Sequence, residues 1–244
     1  MTDSVAVGLP VVILRPEPGA SATLRAARAL GLDAHAFPLF AVTPLDWEPV
    51  EAAQVDALVL GSANALRHSG KALEAYRGKP AYAVGETTAK AAREAGLDVV
   101  LTGRGGLQSV MPRIAPEHRR LLRLTGREHL DLKTPEGSEV KTRAVYASDP
   151  LPIPDDLATL LRQPILALLH SGLAAEYFSQ VCNSLEIERG HVHLAAIGPR
   201  VAALAGTGWA SLRSSGQAED TALLALALQM CQEVPSGSVR TTDI

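Results

Sequence analysis

Residues 81–92 read AYAVGETTAKAA, and residues 194–205 repeat the pattern as LAAIGPRVAALA. Each stretch begins with an apolar run, passes through a glycine and continues with alanines at helical spacing. An apolar run that ends in a small-residue turn and leads into a helix is typical of a βα unit in a parallel sheet. The repeat therefore predicts two α/β domains.

A second pair of stretches supports this interpretation. Residues 58–65 read LVLGSANA, and residues 167–174 read ALLHSGLA. Four apolar strands therefore each lead directly into a turn and a helix start. Two such domains facing each other would form a cleft, and clefts of this kind commonly bind ligands.

The composition indicates an ordinary globular protein and excludes several classes. Of the 244 residues, 47% are hydrophobic, 20% are charged and 4% are aromatic, and the formal net charge is −3. Few aromatic residues and no basic excess argue against a nucleic-acid surface. No segment is long enough to cross a bilayer, so we expect no membrane partner and a cytoplasmic location. We also expect a monomer, since no apolar stripe is left over from the two cores.

The histidines and cysteines do not form a recognisable metal or redox motif. The two cysteines, Cys182 and Cys231, lack the spacing of metal ligands or of a redox pair. The seven histidines are scattered along the chain. We therefore expect no metal site.

Two proline-containing stretches indicate where the chain passes between the domains. They contain Pro38, Pro44, Pro150, Pro152 and Pro154. Proline keeps such crossings extended, because its φ angle is restricted. We expect a discontinuous α/β domain of residues 1–40 and 150–244, and an inserted α/β domain of residues 41–149.

The hydrophobic periodicity predicts the individual elements. We expect strands near 11–14, 56–60, 80–84, 98–102, 121–125, 140–147, 165–169, 193–197 and 209–213. We expect helices near 21–30, 63–76, 86–95, 107–114, 172–182, 199–206 and 219–232. Residues 34–40 are expected to be extended, and 233–244 to be a frayed tail. The cluster of Arg119, Arg120 and Arg123 is expected to be a solvated helix face.

The repeated turns are candidates for anion binding. Ser62 and Ser171 occupy expected N-cap positions, and Thr88 lies in the first turn of a helix. Helix starts offer backbone N–H groups and a partial positive charge to an anion. For any single hydroxyl, helix capping is a sufficient explanation. The pairing of these residues across both halves favours a binding function.

Tyr146 is a conspicuous candidate, since the chain has only four tyrosines. It lies just before the second proline-containing stretch. A phenol stays protonated at neutral pH and can donate a hydrogen bond or a proton to a leaving oxygen. Packing of the aromatic ring at the connector is an equally good explanation of the position.

Seven short stretches, in this order over nearly the whole chain, resemble the uroporphyrinogen-III synthase family. They are ILRPEP at 13–18, PLF at 38–40, GSANA at 61–65, AVGETTA at 83–89, VY at 145–146, HSG at 170–172 and AIGP at 196–199. The resemblance implies two flavodoxin-like parallel-sheet domains joined by a two-stranded connector.

The resemblance also implies an enzyme of tetrapyrrole and heme biosynthesis. Such a lyase closes the linear tetrapyrrole hydroxymethylbilane with loss of water and inversion of the last pyrrole ring, and uses no cofactor. The product is uroporphyrinogen III. The alternative is a non-catalytic two-domain binder or sensor of a polyanionic small molecule such as a tetrapyrrole.

By the same resemblance, Tyr146 assists departure of the hydroxyl group. The acetate and propionate groups of the substrate would be bound by Arg15, Ser62, Asn64, Gly85, Thr88, Ser171, Gly198 and Arg200. The chain departs from the family pattern at two places. Arg200 and Val201 follow the Gly-Pro pair where a hydroxyl residue is usual, and His170 to Leu173 lack the usual Ser-Pro pair.

Overall fold

The computed structural model describes residues 8–233. These residues divide into two compact units. Unit 1 comprises the described residues up to Ala41 and from Pro150 onwards, and unit 2 comprises Val42–Asp149. That the units are separate folding domains stays a prediction.

Strands and helices alternate along most of the chain. The strands are β1 (Val11–Ile13), β2 (Ala34–Ala36), β3 (Phe40–Pro44), β4 (Ala57–Leu60), β5 (Pro80–Val84), β6 (Asp98–Gly103), β7 (Arg120–Gly126), β8 (Glu139–Pro150), β9 (Ile165–Leu169), β10 (Val192–Ala196) and β11 (Ser211–Ser214). The α-helices are α1 (Gly19–Ala29), α2 (Ala63–Arg67), α3 (Glu86–Glu94), α4 (Asp155–Leu160), α5 (Gly172–Ser184), α6 (Pro199–Leu204) and α7 (Asp220–Glu233).

Unit 1 is built on a five-stranded sheet in the order β2-β1-β9-β10-β11. All neighbouring strands are parallel, and the order is that of flavodoxin-like folds. Successive residues of β1 enter different cores: Val12 belongs to the core that contains Phe178 of α5, and Ile13 belongs to the core that contains Leu223 of α7. The sheet is therefore buried on both faces, as parallel sheets require.

Unit 2 is built on a six-stranded sheet in the order β3-β8-β7-β4-β5-β6. The five strands from β8 to β6 pair in parallel. Here too the residues of one strand alternate between two cores, since Leu58 and Val59 of β4 belong to different clusters. The order places β4 in the interior of the sheet, between β5 and β7.

The connector consists of β3 and β8, which are neighbours in the second sheet and contain both unit boundaries. The Leu45 amide donates to the Val145 carbonyl at 2.9 Å. The Thr43 hydroxyl donates to the Asp149 carboxylate at 3.2 Å. The expected fold class, two parallel-sheet α/β units with a two-stranded connector, is confirmed.

Several elements differ from the expectation for identifiable reasons. The extended stretch 34–40 is divided into β2 and β3, which belong to different sheets. The helix expected at 63–76 ends at Arg67 and is followed by a 3₁₀ turn over Gly70–Tyr76. Gly70 has a φ of 63°, which interrupts an α-helix.

Two further differences involve proline. The stretch 107–114 forms two short 3₁₀ turns, with Pro112 at the start of the second. Helix α4 was not expected, because its flanking prolines suggested an extended segment. Pro154 is in fact its N-cap. Asp155 and Asp156 occupy its first turn, where their negative charges interact favourably with the helix dipole.

The expectation for the arginine cluster is wrong. Arg120 and Arg123 lie in strand β7, and Arg123 is only 6% exposed. Its Nη1 donates to the Leu130 carbonyl at 2.8 Å, and its Nε has no partner among the described residues. Burial lowers the pKa of this guanidinium. The strand expected at 121–125 is present, and the helix face assigned to the arginines was inconsistent with it; residues 121–124 are all buried, Arg123 among them.

Among residues 8–233, no helix combines the length and apolar character needed to span a bilayer. Cys182 and Cys231 are both buried free thiols, and burial raises the pKa of Cys182 to about 12. The frayed tail was expected at 233–244, but Glu233 ends helix α7 and the remaining residues lie outside the described part.

Asp56 joins the starts of β4 and β7 and gives a test of this pairing. Its carboxylate accepts from the backbone amides of Arg119 and Arg120 at 3.0 and 2.8 Å, and from the Arg120 Nε at 3.1 Å. Hydrogen bonding to the Arg120 side chain lowers the pKa of Asp56 from 3.8 to about 2. Because the pKa of Asp56 is lower in the folded than in the unfolded chain, its ionised carboxylate stabilises the fold above pH 4. This stabilisation is lost as the pH falls toward 2.

We predict that Asp56→Asn lowers the free energy of unfolding at pH 7, because the ion pair with Arg120 is lost. The loss should be only about 1 kcal/mol, since water and salt screen the exposed Arg120 side chain. The difference from the wild type should shrink between pH 4 and pH 2. Urea unfolding at several pH values measures it. The control is Asp98→Asn. The Asp98 carboxylate is exposed and makes no side-chain hydrogen bond among the described residues. A pH-independent difference for Asp56→Asn would contradict the assignment.

Candidate functional site

The expected functional residues of unit 1 lie at the carboxyl edge of its sheet. The strand order reverses between β1 and β9, and open α/β sheets bind ligands outside the carboxyl ends of such strands. Arg15 comes two residues after β1, and His170 follows β9 directly. The structure brings these two side chains to one carboxylate, that of Asp220 at the start of α7.

The Asp220 carboxylate accepts hydrogen bonds from three side chains. Its Oδ1 accepts from Arg15 Nη1 at 3.2 Å and pairs with His170 Nε2 at 2.8 Å. Its Oδ2 accepts from the Thr23 hydroxyl of α1 at 2.8 Å. Arg15 Nη1 also donates to the Thr23 oxygen at 3.2 Å. We call these four residues, Arg15, Thr23, His170 and Asp220, the Asp220 cluster.

The charges of the Asp220 cluster are balanced. Burial raises the pKa of Asp220, but hydrogen bonds from His170 and Thr23 and the charge of Arg15 outweigh it, so the pKa is lowered overall. Burial lowers the pKa of His170, whose side chain is 6% exposed. At neutral pH the cluster therefore holds an ionised Asp220, a cationic Arg15 and a neutral His170.

Ser171, Gly198 and Arg200 lie at the starts of two helices of the same sheet edge. The Ser171 oxygen caps α5 by accepting from the Ala174 amide at 3.2 Å, which leaves the hydroxyl proton for an outside acceptor. Gly198 is the extended N-cap residue of α6, with a φ of −179°. Arg200 is exposed in the first turn of that helix.

In unit 2 the strand order reverses between β4 and β7. Ser62 follows β4 and caps α2, since its oxygen accepts from the Asn64 amide at 3.2 Å. The Asn64 side-chain oxygen accepts from Arg67 Nη1 at 3.2 Å. Helix α2 has only five residues and α6 only six, so their dipoles are weaker than those of longer helices.

Gly85 and Thr88 lie at the next strand end of unit 2. Gly85 is the N-cap of α3 with a φ of 78°, a conformation that favours glycine. Its amide donates to the Gly103 carbonyl at 3.0 Å. Thr88 is 5% exposed and faces the core, whereas the neighbouring Thr87 is exposed. Of the two hydroxyls, that of Thr87 is more accessible to a ligand.

Tyr146 lies on β8 opposite Gly126, the last residue of β7, and is half-buried. A Cβ on Gly126 would come within 2.9 Å of the Tyr146 ring and 3.2 Å of its hydroxyl oxygen. The His68 ring lies 6.1 Å from the Tyr146 ring, centroid to centroid. Burial is the main reason why the pKa of His68 is lowered, and a neutral imidazole therefore lies beside the phenol.

Sequence reasoning missed the partners of its own candidates. Thr23, His68 and Asp220 received no role, and His170 was noted only as part of a motif. Asp220 had a readable signal, because an acidic residue at the start of a predicted helix is a candidate for contacts at the helix N-terminus. Within residues 8–233, no group of three or more histidine, cysteine and acidic side chains could hold a metal ion.

Two solved structures share this fold. The uroporphyrinogen-III synthetase from Helicobacter pylori 26695 has a TM-score of 0.57 and 17% identity, with 91% of this chain and 99% of that chain covered. A mutant uroporphyrinogen III synthase from the extremely thermophilic bacterium Thermus thermophilus also has a TM-score of 0.57 and 17% identity, with coverages of 93% and 100%. At this identity the likeness shows the fold. No curated protein sequence matches the chain.

The family comparison covers most of the chain. The model of the family described as uroporphyrinogen-III synthase HemD matches residues 21–225. The match contains Ser62, Tyr146 and Ser171. This chain therefore belongs to the uroporphyrinogen-III synthase family.

Proposed function

We propose that this protein closes hydroxymethylbilane into uroporphyrinogen III with inversion of the last pyrrole ring. The observation that carries this proposal is the family match over residues 21–225. The placement of polar groups at the carboxyl edge of each sheet supports it, because a substrate with many carboxylates needs many hydrogen-bond donors.

The proposed reaction is an elimination followed by a rearrangement. The terminal hydroxyl leaves as water after it accepts a proton, and an electron-deficient azafulvenium cation remains. The substituted carbon of the terminal ring at the other end attacks it and forms a spiro intermediate. Fragmentation and reclosure invert that ring, and the proton lost as the pyrrole regains its aromaticity balances the one donated. Net, one water is released.

In this reaction the pyrroles supply the electrons, so the protein mainly positions them. Holding reacting groups in place can lower a barrier by about 7–11 kcal/mol in favourable systems. We therefore propose a lyase that needs no cofactor. A monomeric protein in the cytoplasm is our further proposal, on the composition given above.

Tyr146 is the proposed donor to the departing hydroxyl. Its ring lies close to Gly126 and 6.1 Å from the His68 ring, centroid to centroid, and the half-buried phenol can deliver a proton that a carboxylate-rich substrate itself cannot supply at neutral pH.

The proposed substrate-binding residues supply mainly neutral donors. Hydroxyl protons of Ser62 and Ser171 can be donated outward, because the oxygen of each already accepts from its own helix. Arg15 and Arg200 add positive charge. The remaining proposed residues are Asn64, Gly85 and Gly198, with Thr87 in place of Thr88, whose side chain is only 5% exposed and faces the core. That one substrate molecule binds residues of both units stays a prediction.

The isomer ratio of the product tests the proposed function. Purified protein with freshly made hydroxymethylbilane should yield the type III isomer in excess over the type I isomer, which forms without an enzyme. Chromatography of the oxidised porphyrins measures the ratio. Type I product alone at every protein concentration, with tight tetrapyrrole binding by fluorescence, would instead identify a non-catalytic binder.

Tyr146→Phe should lower kcat by roughly 100-fold or more, the usual contribution of a positioned proton donor, while KM changes little. Tyr177→Phe is the matched control, since it removes a hydroxyl from a ring that packs on Phe40 in unit 1. Steady-state kinetics measures both. An unchanged kcat in Tyr146→Phe would refute the role given to the phenol.

Gly126→Ala should displace the Tyr146 ring, because the added Cβ would meet ring carbons at 2.9 Å. We predict a loss of kcat of about tenfold or more, since small misplacements of reacting groups are costly. Gly190→Ala, where the nearest atom would be 3.8 Å away, is the control. Equal activity of both variants would show that the position of the ring is not important.

A further inference from the structure

Arg15 is held at one end of its guanidinium only. Both hydrogen bonds that it makes among the described residues come from Nη1, to Thr23 and to Asp220. Its Nε and Nη2 have no acceptor in the described part of the chain. These two nitrogens form the edge that binds a carboxylate with two parallel hydrogen bonds. The side chain is 30% exposed, so this edge is not sealed in a core.

Asp220 is the residue that makes this arrangement possible. It reaches Arg15 across 205 positions of sequence and His170 across 50. Its side chain is 31% exposed. Without its negative charge, Arg15 Nη1 would keep only the Thr23 oxygen, which is itself oriented by Asp220.

Gly19 provides a second, independent sign that the position of Arg15 is specified. A Cβ at Gly19 would collide with Arg15 Nε and would lie 2.7 Å from Cζ and 2.9 Å from Nη2. The guanidinium therefore lies against the backbone at the start of α1. Any larger residue at position 19 would displace it.

His170 fixes the other side of the Asp220 carboxylate. Its buried Nδ1 has no partner among the described residues, and its Nε2 lies 2.8 Å from Asp220 Oδ1. A neutral imidazole with its proton on Nε2 donates to Asp220 and holds the carboxylate in one orientation. Three donors therefore fix Asp220, and Asp220 fixes Arg15.

We propose that Asp220 is a positioning residue that presents the Nε and Nη2 edge of Arg15 to a carboxylate of the substrate. This inference rests on the proposed function, since it requires a carboxylate ligand. Asp220 does not touch the substrate. It acts through Arg15.

A double-mutant cycle tests this coupling. Arg15→Ala should lower kcat/KM by about 10- to 100-fold, and Asp220→Asn by about tenfold, mostly through KM, because hydrogen bonds to a charged group are lost. Asp220→Asn should cost less than about twofold when Arg15 is already alanine, because interacting sites are not additive. Multiplicative losses in the double variant would overturn the proposal.

Gly19→Ala tests the same point without a change of charge. Displacement of Arg15 should lower kcat/KM about as much as Asp220→Asn does, with little change in thermal stability. Glu233→Gln is the matched control on α7, because it breaks the exposed ion pair with Arg213 at the far end of the helix. Wild-type kinetics in Gly19→Ala, or a loss as large in Glu233→Gln, would contradict the positioning role.

Binding of uroporphyrin, the oxidised and fluorescent octacarboxylate form of the product, separates the two proposals. The wild type, the two single variants and the double variant should show the same non-additive changes in the Kd for uroporphyrin. If the wild type makes no type III isomer but the changes in Kd are non-additive, the proposed function fails and the positioning role stands. Additive changes in Kd together with normal wild-type turnover would refute the positioning role alone.

Discussion

Burial of the parallel strands on both faces is the constraint on which both units depend. All five residues of β9 are buried, and consecutive residues of β1 pack into two different cores. A strand in this environment has no place for unpaired polar side chains, because desolvated polar groups cost free energy. Polar residues are therefore displaced to the strand ends. The chemistry of the molecule collects at the carboxyl edges for this reason.

Arg123 shows what an exception to this constraint involves. It lies in the middle of β7 with a single hydrogen bond, to the Leu130 carbonyl, and an unpaired Nε. The cost of burying this cation is reflected in its lowered pKa. Arg15, by contrast, lies just beyond its strand and is neutralised by Asp220. The position of a charge relative to the strand end decides whether it can serve a ligand.

The two units offer different chemistry at their edges. Unit 1 combines an ion pair with a buried neutral histidine, an arrangement suited to orienting a cation toward an anion. Unit 2 places a half-buried phenol, that of Tyr146, with its ring 6.1 Å from the imidazole ring of His68, centroid to centroid. With a formal net charge of −3, the chain as a whole does not attract a polyanion. Recognition must therefore depend on local donors, not on a basic surface.

The sequence by itself determined the elements whose signal is local. Strand β9 occupies Ile165–Leu169, the residues expected from the apolar run. The other strands and helices of the repeat also begin and end close to the expected residues. Such elements are readable because burial on both faces requires continuous apolar residues. The stretch 107–114 and helix α4 were misread, because proline and glycine allow several local structures whose choice depends on packing. Family membership was also accessible, since short motifs in order survive where overall identity does not.

Only the tertiary structure decided how the candidate residues are supported. Asp220 and Thr23 are 197 positions apart, and no local sequence pattern indicates that they form a hydrogen bond. Nor does any local pattern indicate that Arg15 donates to both of them. The opposition of Tyr146 and Gly126 follows an irregularity in the pairing of β7 with β8, which periodicity cannot reveal. These contacts arise when helices and strands distant in sequence pack on one sheet. The geometry of these contacts depends on the packing of the whole core. Which residue follows a given strand, by contrast, can be read directly from the sequence.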